Sequence, residues 1–388
     1  MKLAQRMSRL GTETAFEVLA KAQRLEAQGR SVIHLEIGEP DFETPANIVG
    51  AGQEAIQNGF TSYNPSPGYQ DLRTVIAGEI SKTRGIEAKS DNVVVTPGGK
   101  PIMFFVIMAL IENGDEVLYP NPGFPIYESM IAFCGGTAVP MQLHGDKDFN
   151  IDIEEVRNQI TSRTKLMIIN SPNNPCGSII GEKELEALSI LAKENDILVL
   201  SDEIYIRFLY EGTHQSITKF PEMVDRTVIL DGFSKTYAMT GWRIGYGLLP
   251  DSLVEPISRL VTNSVSCTAS FTQKAALEAL TGPQDDSTRM VKEFRKRRDI
   301  VVAGLNNISG IKCAIPKGAF YTFPNVEGTG LSSSDFANGL LEHAGVAVLS
   351  GESFGKFGKG YVRISFANST RNLEEALARI ENFLKAGS

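Results

Sequence analysis

Between residues 90 and 250 the chain alternates short apolar runs with longer amphipathic segments. The runs at 93–95, 116–119, 166–169, 197–200, 228–230 and 244–247 carry almost no polar alternation. A strand with one wet face alternates apolar and polar residues, whereas a strand covered by helices on both faces does not. The pattern therefore predicts a large α/β domain around a mainly parallel central sheet. Turn chemistry follows most of the runs, in Thr96-Pro-Gly-Gly99, Pro120-Asn-Pro-Gly123, Ser171-Pro-Asn-Asn-Pro175, Ser201-Asp-Glu203 and Asp231-Gly-Phe-Ser-Lys235. Open parallel sheets hold their ligands outside the carboxyl ends of the strands, so these turns contain the first candidate site residues.

After about residue 281 the pattern changes. A loop is expected over 281–287, followed by a helix whose basic stretch at 290–299 forms a solvated face. Short strands near 318–323 and 361–366, and a last helix from about Asn372, predict a smaller α+β domain joined by the N-terminal segment. The expected division is a large domain at 46–285 and a small one formed by 1–45 with 286–388.

Composition narrows the function classes. The 388 residues are 42% hydrophobic and 22% charged, enough apolar mass for a large core and too much for a disordered chain. With Lys+Arg 38 against Asp+Glu 46 the net charge is −8, so no global field attracts nucleic acid or an anionic membrane. An anion must be captured by a local site. Cys134, Cys176, Cys267 and Cys313 are isolated in sequence, which argues against a disulfide framework or a zinc site and fits a reducing cytoplasm. The first residues lack the apolar core of a secretory signal, and the longest apolar run, 102–111, is about half the ~20 residues of a membrane span. A cytoplasmic protein without a metal is expected.

The densest chemistry lies in the stretch from Asp231 to Gly245. Lys235 directly follows an apolar strand, where desolvation lowers an amine pKa and makes it a nucleophile toward carbonyls. Arg243 precedes the next strand and can fork onto a phosphate. Asp202 ends a buried strand, where a carboxylate is costly unless it meets a cation; a protonated ring nitrogen would serve, with Tyr205 hydrogen-bonding an oxygen on the same ring. The turn Gly98-Gly99-Lys100 enters a helix and offers backbone N–H groups to a phosphate. It matches neither the dinucleotide nor the Walker glycine pattern. In Asn170-Ser-Pro-Asn-Asn-Pro-Cys-Gly177 the prolines stiffen a loop from which Asn174 can point an amide at a ligand. His34, His144, His214 and His343 lie outside these motifs and are expected to be structural.

Five motifs in order along the chain, Gly38-Glu-Pro-Asp-Phe42, Tyr63 with Gly68, Ser171 to Gly177, Ser201-Asp-Glu-Ile-Tyr205, and Ser234-Lys235 to Gly241-Trp-Arg-Ile-Gly245, resemble the class I/II aminotransferases of fold type I. The resemblance spans the whole chain and is closest to the prokaryotic aspartate aminotransferase branch. It implies pyridoxal 5′-phosphate as cofactor, amino-acid metabolism as setting, and a cytoplasmic homodimer with shared active sites.

The resemblance also implies roles. Lys235 would carry the cofactor and move a proton from the substrate Cα. Asp202 would pair with the ring nitrogen, Asn174 and Tyr205 would contact the ring oxygen, and Phe124 would stack on the ring. Gly99, Lys100, Ser234 and Arg243 would hold the phosphate, which Tyr63 of the partner subunit would also reach. Arg363 would grip the substrate carboxylate with help from the Gly38 backbone and Asn174, and Lys100 would attract an acidic side chain. Gly232 stands where many members carry a phosphate-binding serine. Aspartate with 2-oxoglutarate is the expected substrate pair; alanine or aromatic donors, a lyase or synthase of the same fold, and a non-enzymatic cofactor sensor are the alternatives.

Overall fold

The computed structural model describes residues 2–386. A two-residue strand β1 (Ile33–His34) precedes one large sheet. That sheet comprises β2 (Val93–Thr96), β3 (Glu116–Asn121), β4 (Thr137–His144), β5 (Asn150–Ile151), β6 (Thr164–Asn170), β7 (Leu198–Asp202), β8 (Thr227–Gly232) and β9 (Gly245–Leu248). Their spatial order is β2-β9-β8-β7-β6-β3-β4-β5. Strands β4, β3, β6, β7 and β8 pair in parallel, while β9 runs antiparallel between β2 and β8, and β5 runs antiparallel at the far edge.

The apolar runs are thus the interior strands together with β2 at one edge, and β2, β3, β8 and β9 are buried along their whole length. Strand β4 lies near the edge, is only partly buried, and carries Pro140 and Gln142, so it presents no continuous apolar run. One face is covered by helices at Lys100–Leu110, Ile126–Cys134 and Asp251–Val265, through Ile102, Met130 and Ile257 among others. The opposite face is covered in two parts. Helix Glu182–Glu194 packs Leu188 against β6 and β7, and helices Ala46–Gln57, Gln70–Arg84 and Ser270–Thr281 pack Ile48, Ile76 and Ala275 against β2 and β9.

A further core joins both chain ends. Ile33 and Leu35 pack with Phe294, Phe320, Phe336, Val346, Phe366 and Ile380, and the segment after β7 adds Tyr205, Phe208 and Tyr210. Around it, β10 (Tyr321–Thr322), β13 (Val362–Ser365) and β12 (Leu349–Ser350) form an antiparallel sheet, while β1 pairs in parallel with β11 (Val346–Ala347). The expected loop over 281–287 is shorter than its sequence suggested. Helix Asp285–Asn306 already includes Asp285 and Asp286, whose negative charges suit a helix N-terminus. The last helix spans Thr370–Ala386. None of the helices is long and apolar enough to cross a membrane among the described residues.

Behind the large sheet, the ends of β7 and β8 are fastened to helix Gln70–Arg84 by a buried ion network. Arg84 Nε donates to Glu203 (2.8 Å) and Nη2 to Asp231 (2.5 Å), and Ser201 and Ser216 also donate to Glu203. The charge of His214, 3.1 Å away, and that of Arg84 hold Glu203 well below the ordinary carboxylate range despite its burial. Removing one partner strands the others in a low dielectric. Arg84→Met should therefore lower the unfolding free energy by about 3–5 kcal/mol, read from urea denaturation; an unchanged midpoint would show that the network contributes no stability.

Candidate active site

The carboxyl ends of β6 and β7 are level, because Asn170 lies opposite Asp202, and β8 runs on to Gly232 past Leu230, the partner of Asp202. Above them opens a cavity of about 580 Å³. Of the residues singled out by sequence, Gly38, Gly99, Lys100, Phe124, Asn174, Asp202, Tyr205, Ser234, Lys235, Arg243 and Arg363 all line it. Tyr63 does not; it is 87% exposed on the surface of the chain.

Lys235 follows β8 by three residues and donates from Nζ to the carbonyl of Gly38 (2.5 Å). Burial pulls its amine down to about 8, opposed by the charge of Glu39 and assisted by Arg363 and Lys100. An amine held there is a usable base and nucleophile near neutral pH.

Asp202 closes β7, and burial pushes its carboxyl up to about 6, with hydrogen bonds from Tyr127 and the Ile204 amide pulling the other way. Tyr127 Oη donates to Oδ2 at 2.5 Å, and the Ile204 N–H approaches Oδ1 at 3.3 Å. Side chains alternate along a strand, so Asp202 faces the cavity while its neighbours Ser201 and Glu203 meet Arg84's network behind the sheet. No ion pair reaches Asp202 among the described residues.

The glycine turn is shaped by close approaches. Gly98 has φ +88°, and a Cβ there would lie 2.4 Å from Arg243 Nη2. Arg243 is itself left-handed at φ +53° and is oriented by the carbonyl of Thr240, which accepts from Nη1 at 2.7 Å. Gly232 pairs with Gly245 across β8 and β9, and a Cβ on Gly232 would lie 3.0 Å from Gly245 Cα. A side chain on Gly232 would therefore need a small shift of its neighbours.

Arg363, on β13, is buried beside the ring of Tyr321, 4.5 Å from its centre. Its Nη1 donates to Asn174 Oδ1 (3.1 Å), its Nη2 to the carbonyl of Glu36, and its Nε has no partner among the described residues. Tyr321 shares a 2.8 Å hydrogen bond with Tyr205, and burial raises the pKa of both, keeping the hydroxyls protonated.

The chain from residue 30 to 380 matches the family described as Aminotransferase class I and II. It is 38% identical to an aspartate aminotransferase of Bacillus sp. (strain YM-2), with 99% of each chain covered. It is 36% identical to an aromatic-amino-acid aminotransferase of Thermococcus litoralis, again over 99% of each. The solved aspartate aminotransferase of Thermus thermophilus with maleate superposes with a TM-score of 0.94 at 36% identity, covering 99% of this chain and 100% of that one.

The protein belongs to the class I and II aminotransferases. This family uses pyridoxal 5′-phosphate, and the cavity of this aminotransferase has the donor set for it. A buried carboxylate without a cation suits a protonated ring nitrogen, a desolvated amine suits a carbonyl carbon, and Arg243 beside the Gly98-Gly99 turn suits a phosphate.

Other residues that line the aminotransferase site are not among the sequence candidates, including Tyr127, Tyr321 and Met103, while Glu13 comes from the stretch 11–16, which differs from the hydroxyl pair that some prokaryotic aspartate enzymes place at the distal carboxylate. Tyr127 lies in the same Pro122-Gly-Phe-Pro-Ile-Tyr127 stretch as Phe124, whose ring it meets edge-on at 5.6 Å, so a signal was present for it. Met103 lies one turn beyond Lys100 on the same helix, whereas Tyr321 comes from a distant segment. The histidines stay out of the cavity: His34 meets Glu36, His144 meets Glu155, His214 lies 3.1 Å from Glu203, and His343 stacks on Phe383.

The Asp202 carboxyl links stability to pH in the cofactor-free aminotransferase. Its folded value of about 6 exceeds the ~3.9 of an unfolded chain, so the folded state binds more protons between them. The group's stabilising contribution is full below about pH 4 and lost as pH rises through about 6. Relative to wild type, Asp202→Asn should be about 2–3 kcal/mol more stable at pH 7.5 than at pH 4, measured by denaturation of cofactor-free protein. A pH-independent difference would contradict the buried, unpaired carboxylate.

Proposed function

We propose that the enzyme transfers the amino group of L-aspartate to 2-oxoglutarate in two half-reactions at this cavity. The observation that carries the reading is the placement of Lys235 and Arg363, a low-pKa amine and a carboxylate fork with a free Nε, in one pocket that also contains Lys100. The names of relatives support aspartate, and the name of the Thermococcus litoralis relative keeps an aromatic donor as the second reading.

Pyridoxal phosphate, when bound, supplies a carbonyl for the amino group and an electron sink for the substrate Cα. Arg363 binds the α-carboxylate through Nε and Nη, with the Asn174 amide and the Gly38 backbone fixing its direction. Lys235 Nζ takes the Cα proton, which its depressed pKa permits near pH 8. Asp202 holds the proton on the ring nitrogen, and Tyr127 holds Asp202 in place. With the cofactor bound, Tyr205 and Asn174 would contact the ring oxygen, Phe124 would pack against the ring, and Ser234, Arg243, Gly99 and the Lys100 amide would hold the phosphate. Lys100 Nζ receives the distal carboxylate of aspartate.

We further propose that the enzyme is a homodimer in which the partner subunit's Tyr63 completes the phosphate site, as the exposure of this phenol on the single chain supports. The large domain would be 46–285 and the small one 1–45 with 286–388, each around the core described above.

The test is an amino-donor screen with 2-oxoglutarate, read by formation of 2-oxo acids. Aspartate should be turned over, Lys235→Ala should abolish both turnover and the visible absorbance band that responds to amino acid, and Arg363→Ala should raise KM for every donor by about 10–100-fold, the loss of a charged hydrogen-bonded contact. Lys100→Ala should weaken aspartate more than alanine. Colourless protein that ignores all donors would overturn the reading.

A further inference from the structure

Lys100 does not wait in the cavity as a free cation. Its Nζ forms an ion pair with Glu13 Oε1, and it lies 5.3 Å from the centre of the Phe124 ring. Glu13 is set 87 positions earlier and is largely covered, with 18% of its side chain exposed against 46% for Lys100. It stands at the N-terminal cap of helix Thr14–Ala27 but makes no side-chain capping bond. The short oxygen-bearing side chains of Asp, Asn, Ser or Thr cap the helix amides at that position, and the longer glutamate is not a favoured cap. Here it is spent on Lys100 instead, and both line the pocket with Lys235 and Arg363.

The carboxylate of Glu13 is the same chemical group as the distal carboxylate of a dicarboxylic substrate. A substrate that used Lys100 would have to detach Glu13 and then sit beside a second negative charge. A substrate with a short or apolar side chain would leave the pair intact, against Ala15, Phe16 and Met103. We propose that Glu13 is a built-in competitor for the distal-carboxylate position, so that it sets how far the enzyme prefers acidic over uncharged substrates. The inference rests on the reading that Lys100 receives the distal carboxylate.

The test uses holoenzyme and Glu13→Gln, with Glu13→Ala as a second variant should the amide disturb folding. The ratio of kcat/KM for aspartate to that for alanine should rise about tenfold, mainly through KM for aspartate. By calorimetry, the Kd of succinate, an unreactive dicarboxylate, should fall about tenfold, while that of propionate shifts less than twofold. In a Lys100→Met background the same Glu13 change should improve succinate less than threefold. A ratio that stays put or falls in Glu13→Gln overturns the proposal, the fall meaning that Glu13 positions Lys100 for the substrate. A full gain that persists without Lys100 also overturns it. Wild-type protein that turns over neither aspartate nor alanine sinks the substrate reading itself, whereas turnover with an unmoved ratio sinks only the role of Glu13.

Discussion

Burying one carboxylate at the end of an interior strand is the constraint on which this site depends. Ser201, Asp202 and Glu203 are consecutive, and strand alternation sends Asp202 to the cavity and its neighbours to the back. The two acids then meet opposite fates. Glu203 is matched by Arg84 and hydroxyl donors and stays ionised, whereas Asp202 has only Tyr127 and one backbone amide and is pushed toward its neutral form. The network behind the sheet fixes the strand ends, and that fixes where the uncompensated carboxylate sits. A cationic ring nitrogen relieves a cost that the fold has already imposed.

The same cavity desolvates Lys235, so base and counter-ion are tuned by a single cause acting on groups of opposite sign. Burial lowers the amine and raises the carboxyl. The substrate fork comes from the other core. Arg363 on β13 reaches Asn174 after β6, and Tyr321 on β10 reaches Tyr205 after β7. One hydrogen bond thus ties Arg363 to the end of the large sheet and the other ties the tyrosine it packs on, so its position is set by both cores together.

Much of this was legible because interior parallel strands are apolar throughout and their turns carry the chemistry. The central strands, Lys235, Asp202, Arg243 and Asn174 followed from that local pattern. Strand β4 did not, since a partly exposed strand near the edge with Pro140 and Gln142 has no continuous apolar run. Neither did Tyr321 or Glu13. Each depends on a contact across a long stretch of chain, Tyr205 to Tyr321 and Glu13 to Lys100, and in sequence a lone tyrosine or glutamate is indistinguishable from a core or surface residue. Gly232 was readable as a departure, but its close pairing with Gly245 exists only in three dimensions.

A chain with net charge −8 can bind small anions only where local cations keep their charge available. Arg243 and Arg363 are oriented by neutral oxygens, the carbonyls of Thr240 and Glu36 and the amide of Asn174, and neither forms an ion pair among the described residues. A carbonyl directs a guanidinium without cancelling its charge, so both remain strong anion acceptors. Lys100 is held by a full carboxylate, so another anion can reach it only in competition with Glu13. The site therefore offers two strong anion positions, suited to a phosphate and an α-carboxylate, and a third that is conditional. On the reading proposed above, the cofactor's phosphate and the substrate's α-carboxylate would take the strong positions, and the substrate's distal group would meet the conditional one.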